Sequence, residues 1–355
     1  MEEQITTLVY SHVTRLTPLR GNRPLVTQRP QAPMGVTREQ RHTSRIAGGR
    51  DDVDLCSMLR IQIMVALCAT SLIEAQNPLE TLHHRIAERV AQLPGATVGV
   101  YVKDLGNGRE VAFNADSSFH AASTMKVPVM IQYYRGRDAG RWPPDATILL
   151  QNRFASIVDG SPYTLDAADD SDSLLYAKVG EQVAVRELVE RMITRSSNLA
   201  TNAVIELVGA GAADSTAHAL GAHTIQVRRG VEDNLAFRAG LNNTTSARDL
   251  GALLEAIERG TAASPPSSHE MLGILERQEF NDEIPAGLPP LTRVAHKTGW
   301  ITGTTHDAAL VYPPRRAPFV LVVLTRGIPD REAAKALIAD VARMVWESVV
   351  GGGES

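Results

Sequence analysis

The segment FHAASTMKVPVMIQYY at residues 119–134 contains a serine and a lysine three positions apart. Its pattern predicts a helix over Ser123–Tyr134, with Pro128 in the first turns, where proline is tolerated. Residues three apart are neighbours on a helix surface, so Ser123 and Lys126 share one face. A serine hydroxyl is a poor nucleophile until a base takes its proton, and a lysine serves if its pKa is depressed enough to leave the amine neutral. The segment therefore predicts an activated serine at the start of a helix.

Two further short motifs follow along the chain. Ser196-Ser197-Asn198 lies between two helical patterns and offers a hydroxyl for proton relay and an amide to hold a carbonyl, although such residues are also common helix caps. Lys297-Thr298-Gly299 lies in a predicted strand, where a glycine lets a ligand or another backbone approach closely. The positive charge of its lysine and the hydroxyl of its threonine are suited to binding a carboxylate. Only five lysines occur in the chain, and two of them stand in the three motifs.

The order of the predicted elements surrounds these motifs with a mixed α/β layer. The middle of the chain is a loop-rich stretch at 140–180 followed only by helices. Both chain ends must therefore share one antiparallel sheet flanked by helices, an α+β sandwich, with an all-helical lobe inserted at about 135–280. Sheet edges beside an inserted lobe make a natural cleft. Helices are predicted over 78–93, 185–193, 198–208, 212–220, 247–258, 269–277 and 331–349, and strands over 97–105, 110–113, 293–296, 305–311 and 318–325.

Composition excludes several classes of protein. The chain has 355 residues, of which 43% are hydrophobic and 21% charged, as in soluble globular proteins. Its formal net charge of −4 argues against nucleic acid as a partner, because phosphate neutralisation needs a basic surface. Cys56 and Cys68, the only cysteines, both lie near the N-terminus, which excludes a disulfide scaffold and a cysteine zinc site further on. Without metal-ligand spacing or a phosphate loop, we expect no cofactor and no metal.

The N-terminus consists of two unlike pieces. Residues 1–57 lack periodicity, and we interpret them as disordered or as an over-extended translation that precedes a true start at Met58. Residues 58–75 have the basic start, apolar run and small-residue end of a signal peptide. The alternative is a short membrane anchor behind a cytosolic tail. Cleavage predicts a periplasmic or secreted domain over 76–350, without stable membrane insertion, and a flexible tail at 351–355.

Together the three motifs resemble the signature of the class A β-lactamases and related penicillin-recognising serine hydrolases, Ser-x-x-Lys, Ser-Asp-Asn and Lys-Thr/Ser-Gly. The resemblance includes the sequence around them at 119–128, 194–202 and 297–307 and runs from about Asn77 to Val350. It implies the class A β-lactamase fold and a monomer that hydrolyses the β-lactam amide through an acyl-enzyme. The alternatives are a D-alanyl peptidase or small-ester hydrolase of the same fold, and a penicillin-binding sensor that keeps the acylated state. The expected partner is a small-molecule β-lactam or a cell-wall peptide-like substrate.

The resemblance also implies roles for the motif residues. Ser123 is the nucleophile, Lys126 is the acylation base directly or through a water, and Ser196 passes a proton to the leaving nitrogen. The backbone N–H groups of Ser123 and Trp300 form the oxyanion hole. Substrate binding is implied for Asn198, which holds the acyl side-chain amide, for Lys297 and Thr298, which bind the carboxylate, and for Gly299 and Trp300 beside them.

The chain departs from the family pattern at three positions. Ser197 stands where the family usually has an aspartate with a mainly structural role, so we expect a local change in stability. Asn243 replaces a loop aspartate that normally pairs with an arginine. Glu232 is the best candidate for the deacylation base, but it lies about two residues closer to Asn243 than the family pattern gives. A solvated loop acid is the alternative, and Asp233 is the nearest substitute.

Overall fold

A five-stranded antiparallel sheet joins the two ends of the chain in the computed structural model, which describes residues 78–351. The predicted segments at 1–57 and 58–75 lie outside the described residues. From one edge to the other the strands are Glu110–Phe113, Thr97–Asp104, Phe319–Arg326, Thr304–Tyr312 and Arg293–Ile301, so two strands from the beginning of the chain pair with three from its end in one sheet, as predicted. The sheet strands are β1 (Thr97–Asp104), β2 (Glu110–Phe113), β9 (Arg293–Ile301), β10 (Thr304–Tyr312) and β11 (Phe319–Arg326).

Nine α-helices stand among the described residues, and most lie within a few residues of their predicted positions. The terminal helices cover one face of the sheet, and the others belong to the inserted lobe. The helices are α1 (Pro78–Ala91), α2 (Lys126–Asp138), α3 (Val185–Thr194), α4 (Asn198–Val208), α5 (Ala210–Ala219), α6 (Asn234–Arg238), α7 (Ala247–Glu258), α8 (Pro265–Glu276) and α9 (Arg331–Val349).

Alternation along the strands divides the core between the two faces of the sheet. In β11, Phe319, Leu321 and Val323 pack with α1 and α9, whereas Val320 and Val322 face the helical lobe. This follows from the two-residue period of a strand, because successive side chains point to opposite faces. Both faces are covered, so every residue of β11 except the last is buried. The sheet is therefore a fixed platform for the residues at the edge strand β9.

Helix α2 is the central helix of the lobe. All nine residues from Lys126 to Tyr134 are buried, and Tyr133 and Tyr134 are among the largest fully buried side chains of the described chain. A helix that is buried all round cannot tilt or slide without disturbing its neighbours on every side. The lysine of the first motif is thereby held at the buried start of a rigid helix.

Several short elements were missed by the sequence analysis. The first turn of the predicted helix is a 3-10 turn over Ala122–Met125, and the regular helix begins at Lys126. The stretch 140–180, predicted mostly as loop, contains a 3-10 helix over Ser173–Lys178 and several short strands. Elements of two or three residues are too short to produce a periodic signal. The short strands are β3 (Phe119–His120), β4 (Thr147–Leu149), β5 (Phe154–Ala155), β6 (Pro162–Tyr163), β7 (Gln182–Ala184) and β8 (Thr244–Thr245).

The packing of α9 against the segment before β9 yields a test of the fold. A Cβ added at Gly287 would overlap the carbonyl oxygen of Ala339 on α9, a backbone atom that cannot move aside alone. We expect Gly287→Ala to lower the free energy of unfolding by about 1–3 kcal/mol, as overpacking does. The matched control is Gly211→Ala in α5, where no atom lies within 4 Å of the added Cβ.

Urea denaturation followed by circular dichroism measures both variants. Gly211→Ala should be neutral or stabilising by up to about 1 kcal/mol, because alanine is the better helix former. Equal stability of the two variants would contradict the close approach of α9 at Gly287.

Candidate active site

Ser123 lies in the 3-10 turn that leads into α2, directly against β9. A Cβ added at Gly299 would lie 2.9 Å from the backbone nitrogen of Ser123 and 3.0 Å from that of Thr124. Only glycine permits this approach of strand and turn. Ala122, just before the serine, has φ +46°, an uncommon conformation for a residue with a Cβ. This serine turn, Ala122–Met125, is thus sharp and packs against the third motif.

Lys126 is fully buried, and every acceptor recorded for its ammonium group comes from the second motif. Its Nζ donates to the carbonyl oxygen of Ser196 at 2.6 Å, to Oδ1 of Asn198 at 3.0 Å and to Oγ of Ser196 at 3.2 Å. Burial lowers the pKa of Lys126 to about 7, although the carboxylates of Asp170 and Glu232 act in the opposite direction. A substantial fraction of this amine is therefore neutral near pH 7.

Lys297 approaches the same serine from the sheet. Its Nζ donates to Oγ of Ser196 at 3.1 Å and to the carbonyl oxygen of Thr298 at 2.8 Å. Burial lowers the pKa of Lys297 well below its ordinary value, and the neighbouring charge of Lys126 lowers it further. The Ser196 hydroxyl therefore lies between two buried amines, one from the helical lobe and one from the sheet.

Glu232 lies beside the same group of side chains. It has φ +60°, and its Oε1 accepts a hydrogen bond of 2.5 Å from Nδ2 of Asn198. Burial raises the pKa of Glu232, as do the nearby acids Asp170 and Asp169, while the hydrogen bond from Asn198 lowers it. The side chain of Asn198 thus connects Lys126 with Glu232, and Glu232 is not an isolated solvated acid.

Asp233, the substitute considered for Glu232, is committed to other contacts. Its buried carboxylate accepts hydrogen bonds from Oγ of Ser156 at 2.9 Å, from the nitrogen of Ile157 at 3.0 Å and from the nitrogen of Ala236 at 2.9 Å. These contacts cap α6 and attach the β5–β6 turn to the loop that carries Glu232. Asp233 therefore holds this loop in place.

The predicted exchange of a loop aspartate for Asn243 has a structural counterpart. Oδ1 of Asn243 accepts from the nitrogens of Arg228 at 2.8 Å and Arg229 at 3.1 Å, and its Nδ2 donates to the carbonyl oxygen of Arg229 at 3.0 Å. The Arg229 guanidinium instead donates to the carbonyl oxygen of Leu241 and to Oδ1 of Asn242. An amide that both accepts and donates thus closes the loop without an ion pair.

The sequence analysis missed Asp170 altogether. Its carboxylate accepts hydrogen bonds of 2.9 Å from the backbone nitrogens of both Asn198 and Leu199, at the start of α4. Ser197 supplies only the cap to the nitrogen of Ala200, at 3.2 Å. Asp170 lies in an acid-rich loop without a motif, so the only signal was the missing acid at position 197.

A cleft of about 740 Å³ lies between the lobe and the sheet, whereas Lys126, Lys297 and Thr298 are fully buried and do not line it. Ser123, Ser196, Asn198 and Glu232 line it, and the exposed ring of Phe237 forms part of its wall. Two further wall residues are Trp300 and Ile301 at the end of β9, and the Trp300 ring is held between the guanidinium of Arg331 and the ring of Phe280.

Residues 78–351 contain neither a cluster of metal ligands nor a membrane-spanning helix. Within this range there is no group of three or more histidine, cysteine, aspartate or glutamate residues that could hold a metal ion. In the same part of the chain no helix has the length and apolar character needed to cross a bilayer.

Comparison with known proteins gives consistent matches over most of the chain. A family model described as the beta-lactamase enzyme family matches residues 81–349. A β-lactamase of Streptomyces fradiae is 30% identical over 263 residues, which are 72% of this chain and 82% of that protein.

Solved structures match the same region. An ancestral class A β-lactamase is 30% identical, with a TM-score of 0.65 over 75% of this chain and 99% of that one. PBP-A, of which a variant has been solved as an acyl-enzyme complex with penicillin G, is 31% identical, with a TM-score of 0.62 over 76% of this chain and 96% of that one. The predicted fold, a sheet from both chain ends with an inserted helical lobe, is confirmed by these matches.

The contact between Gly299 and the serine turn generates a prediction. We expect Gly299→Ala to push β9 away from the turn and slow the labelling of Ser123 by a fluorescent penicillin on the order of 100-fold, since a displacement of about 1 Å has that effect at a reacting centre. Gel fluorescence against time measures the rate. Gly211→Ala is the control, and thermal melting verifies folding. Labelling at the wild-type rate would contradict the constraint.

Proposed function

This chain belongs to the β-lactamase enzyme family, and from that premise we propose that it is an exported serine β-lactamase that hydrolyses the β-lactam amide through an acyl-enzyme on Ser123. The observation that carries the proposal is the buried Lys126 amine, with a pKa lowered to about 7, one helical turn from Ser123. A neutral amine in that position is the base that a serine nucleophile requires. Glu232 in the same cleft supports a second, hydrolytic step.

Acylation begins at Ser123. Its Oγ attacks the β-lactam carbonyl carbon while neutral Lys126 takes the hydroxyl proton. The negative charge on the carbonyl oxygen is held by the backbone N–H groups of Ser123 and Trp300, each contributing about 3 kcal/mol in hydrolases generally. This role for Trp300 agrees with the close approach of β9 to the serine turn.

Ser196 completes the acylation step. When the carbon–nitrogen bond of the ring breaks, the nitrogen needs a proton. The Ser196 hydroxyl supplies it and is re-protonated by the Lys126 ammonium, 3.2 Å away. Lys297 lies 3.1 Å from the same oxygen, and charge on either lysine disfavours charge on the other. The second proton transfer, from Lys126 to Ser196, therefore has a direct hydrogen bond to follow.

The substrate is positioned by the third motif and by Asn198. Oγ1 of Thr298 is buried and has no hydrogen-bond partner within the described residues, which suits an acceptor brought by a ligand. In the proposed mechanism, Thr298 and Lys297 together bind the substrate carboxylate. Asn198 holds the amide of the acyl side chain, and Phe237 and Ile301 offer apolar surface beside it.

Deacylation is assigned to Glu232. Its carboxylate takes a proton from a water molecule, which attacks the ester carbonyl and releases Ser123. Asn202 supports the geometry, because its side chain accepts from the nitrogen of Val231 at 2.7 Å and donates to the carbonyl oxygen of that residue at 3.0 Å. The residue before Glu232 is thereby tied to α4.

The second candidate is a penicillin-binding protein that acylates and then turns over slowly, as a sensor or as a peptidase or esterase of the same fold. The similarity to PBP-A favours it, as does the short loop between Glu232 and Asn243. In this structure Asn198 is also occupied by Glu232, so the acyl side chain must displace that contact. Wild-type turnover of a chromogenic β-lactam separates the two functions.

For location, we propose a mature monomeric domain over 76–350 that reaches the periplasm or the medium after cleavage behind 58–75. The signal-like sequence of that segment supports this proposal. N-terminal sequencing of the exported protein is the test, with a start near Gln76 expected and a retained Met1 contradicting cleavage.

The assignment of Glu232 predicts a trapped intermediate. Glu232→Gln should lose the deacylation base and accumulate a covalent adduct on Ser123, with turnover reduced by about 100-fold or more. Mass spectrometry after penicillin addition detects the adduct, and Ser123→Ala is the control that should show none. Turnover at the wild-type rate would exclude Glu232 as the base.

The pKa of Lys126 predicts the pH dependence of acylation. The protonated amine is inactive as a base, so the acylation rate constant should fall about tenfold per pH unit below about 7 and level off above it. Stopped-flow measurement of the first turnover of the wild-type protein follows this step, because Glu232→Gln would itself lower the pKa of Lys126. Lys126→Arg should acylate slowly at every pH, since a guanidinium stays protonated. A rate still rising tenfold per unit above pH 9 would contradict a neutral Lys126 at pH 7.

A further inference from the structure

The start of α4 carries Asn198, whose side chain touches both Lys126 and Glu232. The first backbone N–H groups of a helix have no partner within the helix. Ser197 caps only the nitrogen of Ala200, and no acid stands at position 197 to serve the others. The N–H groups of Asn198 and Leu199 therefore need an acceptor from elsewhere in the fold.

Asp170 provides that acceptor from the cleft wall. Its carboxylate accepts from the nitrogens of Asn198 and Leu199, each at 2.9 Å, and lies 3.5 Å from Oγ of Ser197. The hydroxyl of Tyr176 at 3.1 Å and the nitrogen of Asp172 at 3.0 Å complete its partners. Asp170 is only 7% exposed, although the loop around it lines the cleft. A buried carboxylate with this many donors is fixed in position.

We propose that Asp170 is the positioning residue of the acylation step: from the loop at 166–172 it supplies the carboxylate that the second motif lacks, and so sets the place of Asn198 between Lys126 and Glu232. The inference rests on the proposed function for its kinetic consequences. Its geometric part stands on the hydrogen bonds alone.

The position of Asp170 has an electrostatic consequence as well. Its negative charge raises the pKa of Lys126 and that of Glu232. Three other interactions affect these groups. The charges of Lys126 and Glu232 act on each other, and the charge of Asp169 acts on Glu232. The charges of Lys126 and Lys297 also act on each other. Tyr176 faces Asp170 from the 3-10 helix. Removing the charge of Asp170 therefore lowers the pKa values of Lys126 and Glu232. The acid limb of the profile, where the acylation rate falls because Lys126 becomes protonated, then moves to lower pH.

A matched control lies two residues away. Asp172 is also buried, but its carboxylate binds Nη1 of Arg191 at 2.9 Å and of Arg195 at 3.4 Å, on and after α3. It attaches the same loop without touching the second motif. Asp172→Asn therefore reports the effect of loosening the loop, and Asp170→Asn reports that effect together with the loss of the contact to α4.

The experiment compares Asp170→Asn with Asp172→Asn by stopped-flow acylation across pH, at a temperature below both melting points. We expect Asp170→Asn to lower the acylation rate constant by about 10- to 100-fold at pH 7 and to move its acid limb down by about half a unit or more. Asp172→Asn should change the rate less than about threefold and leave the limb in place. Equal rate losses in the two variants with an unmoved limb would overturn the proposal and leave Asp170 a purely structural acid.

A rescue variant keeps the test decisive if Asp170→Asn folds poorly. A carboxylate at 197 would reach the space that Asp170 occupies, since the two side chains are 3.5 Å apart. Asp170→Ala leaves that space open, and its combination with Ser197→Asp should be acylated several-fold faster than Asp170→Ala alone. No recovery in a folded double variant would also count against the proposal.

A substrate-free measurement separates this inference from the proposed function. The chain has only five lysines, so ¹³C NMR titration of lysine-labelled protein, assigned with Lys126→Arg, follows Lys126 directly. A lower Lys126 pKa in Asp170→Asn supports the inference even if wild type hydrolyses no β-lactam, an outcome that would refute only the proposed function. An unchanged Lys126 pKa overturns the inference even in an active enzyme.

Discussion

The site depends on one hydroxyl held between two buried amines. Ser196 Oγ lies 3.2 Å from Nζ of Lys126 and 3.1 Å from Nζ of Lys297, and both lysines are fully buried. Two ammonium groups cannot both keep their charge so close together and away from water. The protein therefore holds a neutral amine near neutral pH only while helix α2, the turn before α4 and strand β9 stay in register. The hydrophobic cores on both faces of the sheet hold these elements in position.

Backbone strain is concentrated at the same place. Six non-glycine residues of the described chain have positive φ, and three of them, Ala122, Ser196 and Glu232, stand at or beside the proposed catalytic groups. A positive φ is energetically unfavourable for a residue with a side chain and persists only where the surrounding contacts hold it in place. Here the surroundings are specific: β9 packs on the turn after Ala122, two lysines hold Ser196, and Asn198 and Asn202 hold the Glu232 segment.

Long periodic segments explain what could be predicted from the sequence. The strands before and after the helical lobe and helix α9 carry clear two-residue or 3.6-residue patterns, and their predicted positions agree with the structure, except that β9 continues past its predicted end at 296 to Ile301. The three motifs were found because each is local in sequence. The contacts of Asp170 with Asn198 and of Asp233 with Ser156 were not predicted. The partners are 28 and 77 residues apart, and each acid stands in a loop without periodicity. Contacts of that kind are set by tertiary packing, which a single sequence does not display.

The two steps of the proposed mechanism rest on separate parts of the fold. Acylation depends on the interface between sheet and lobe, where the lysines meet Ser196. Deacylation depends on the loop around Glu232, which is closed by the Asn243 amide and by the Asp233 carboxylate and carries no ion pair between Arg229 and position 243. Burial and the neighbouring acids Asp170 and Asp169 raise the pKa of Glu232 and so favour its basicity. In the proposed mechanism, changes in this loop alter the fate of the acyl-enzyme while the lysine pair that forms it stays intact.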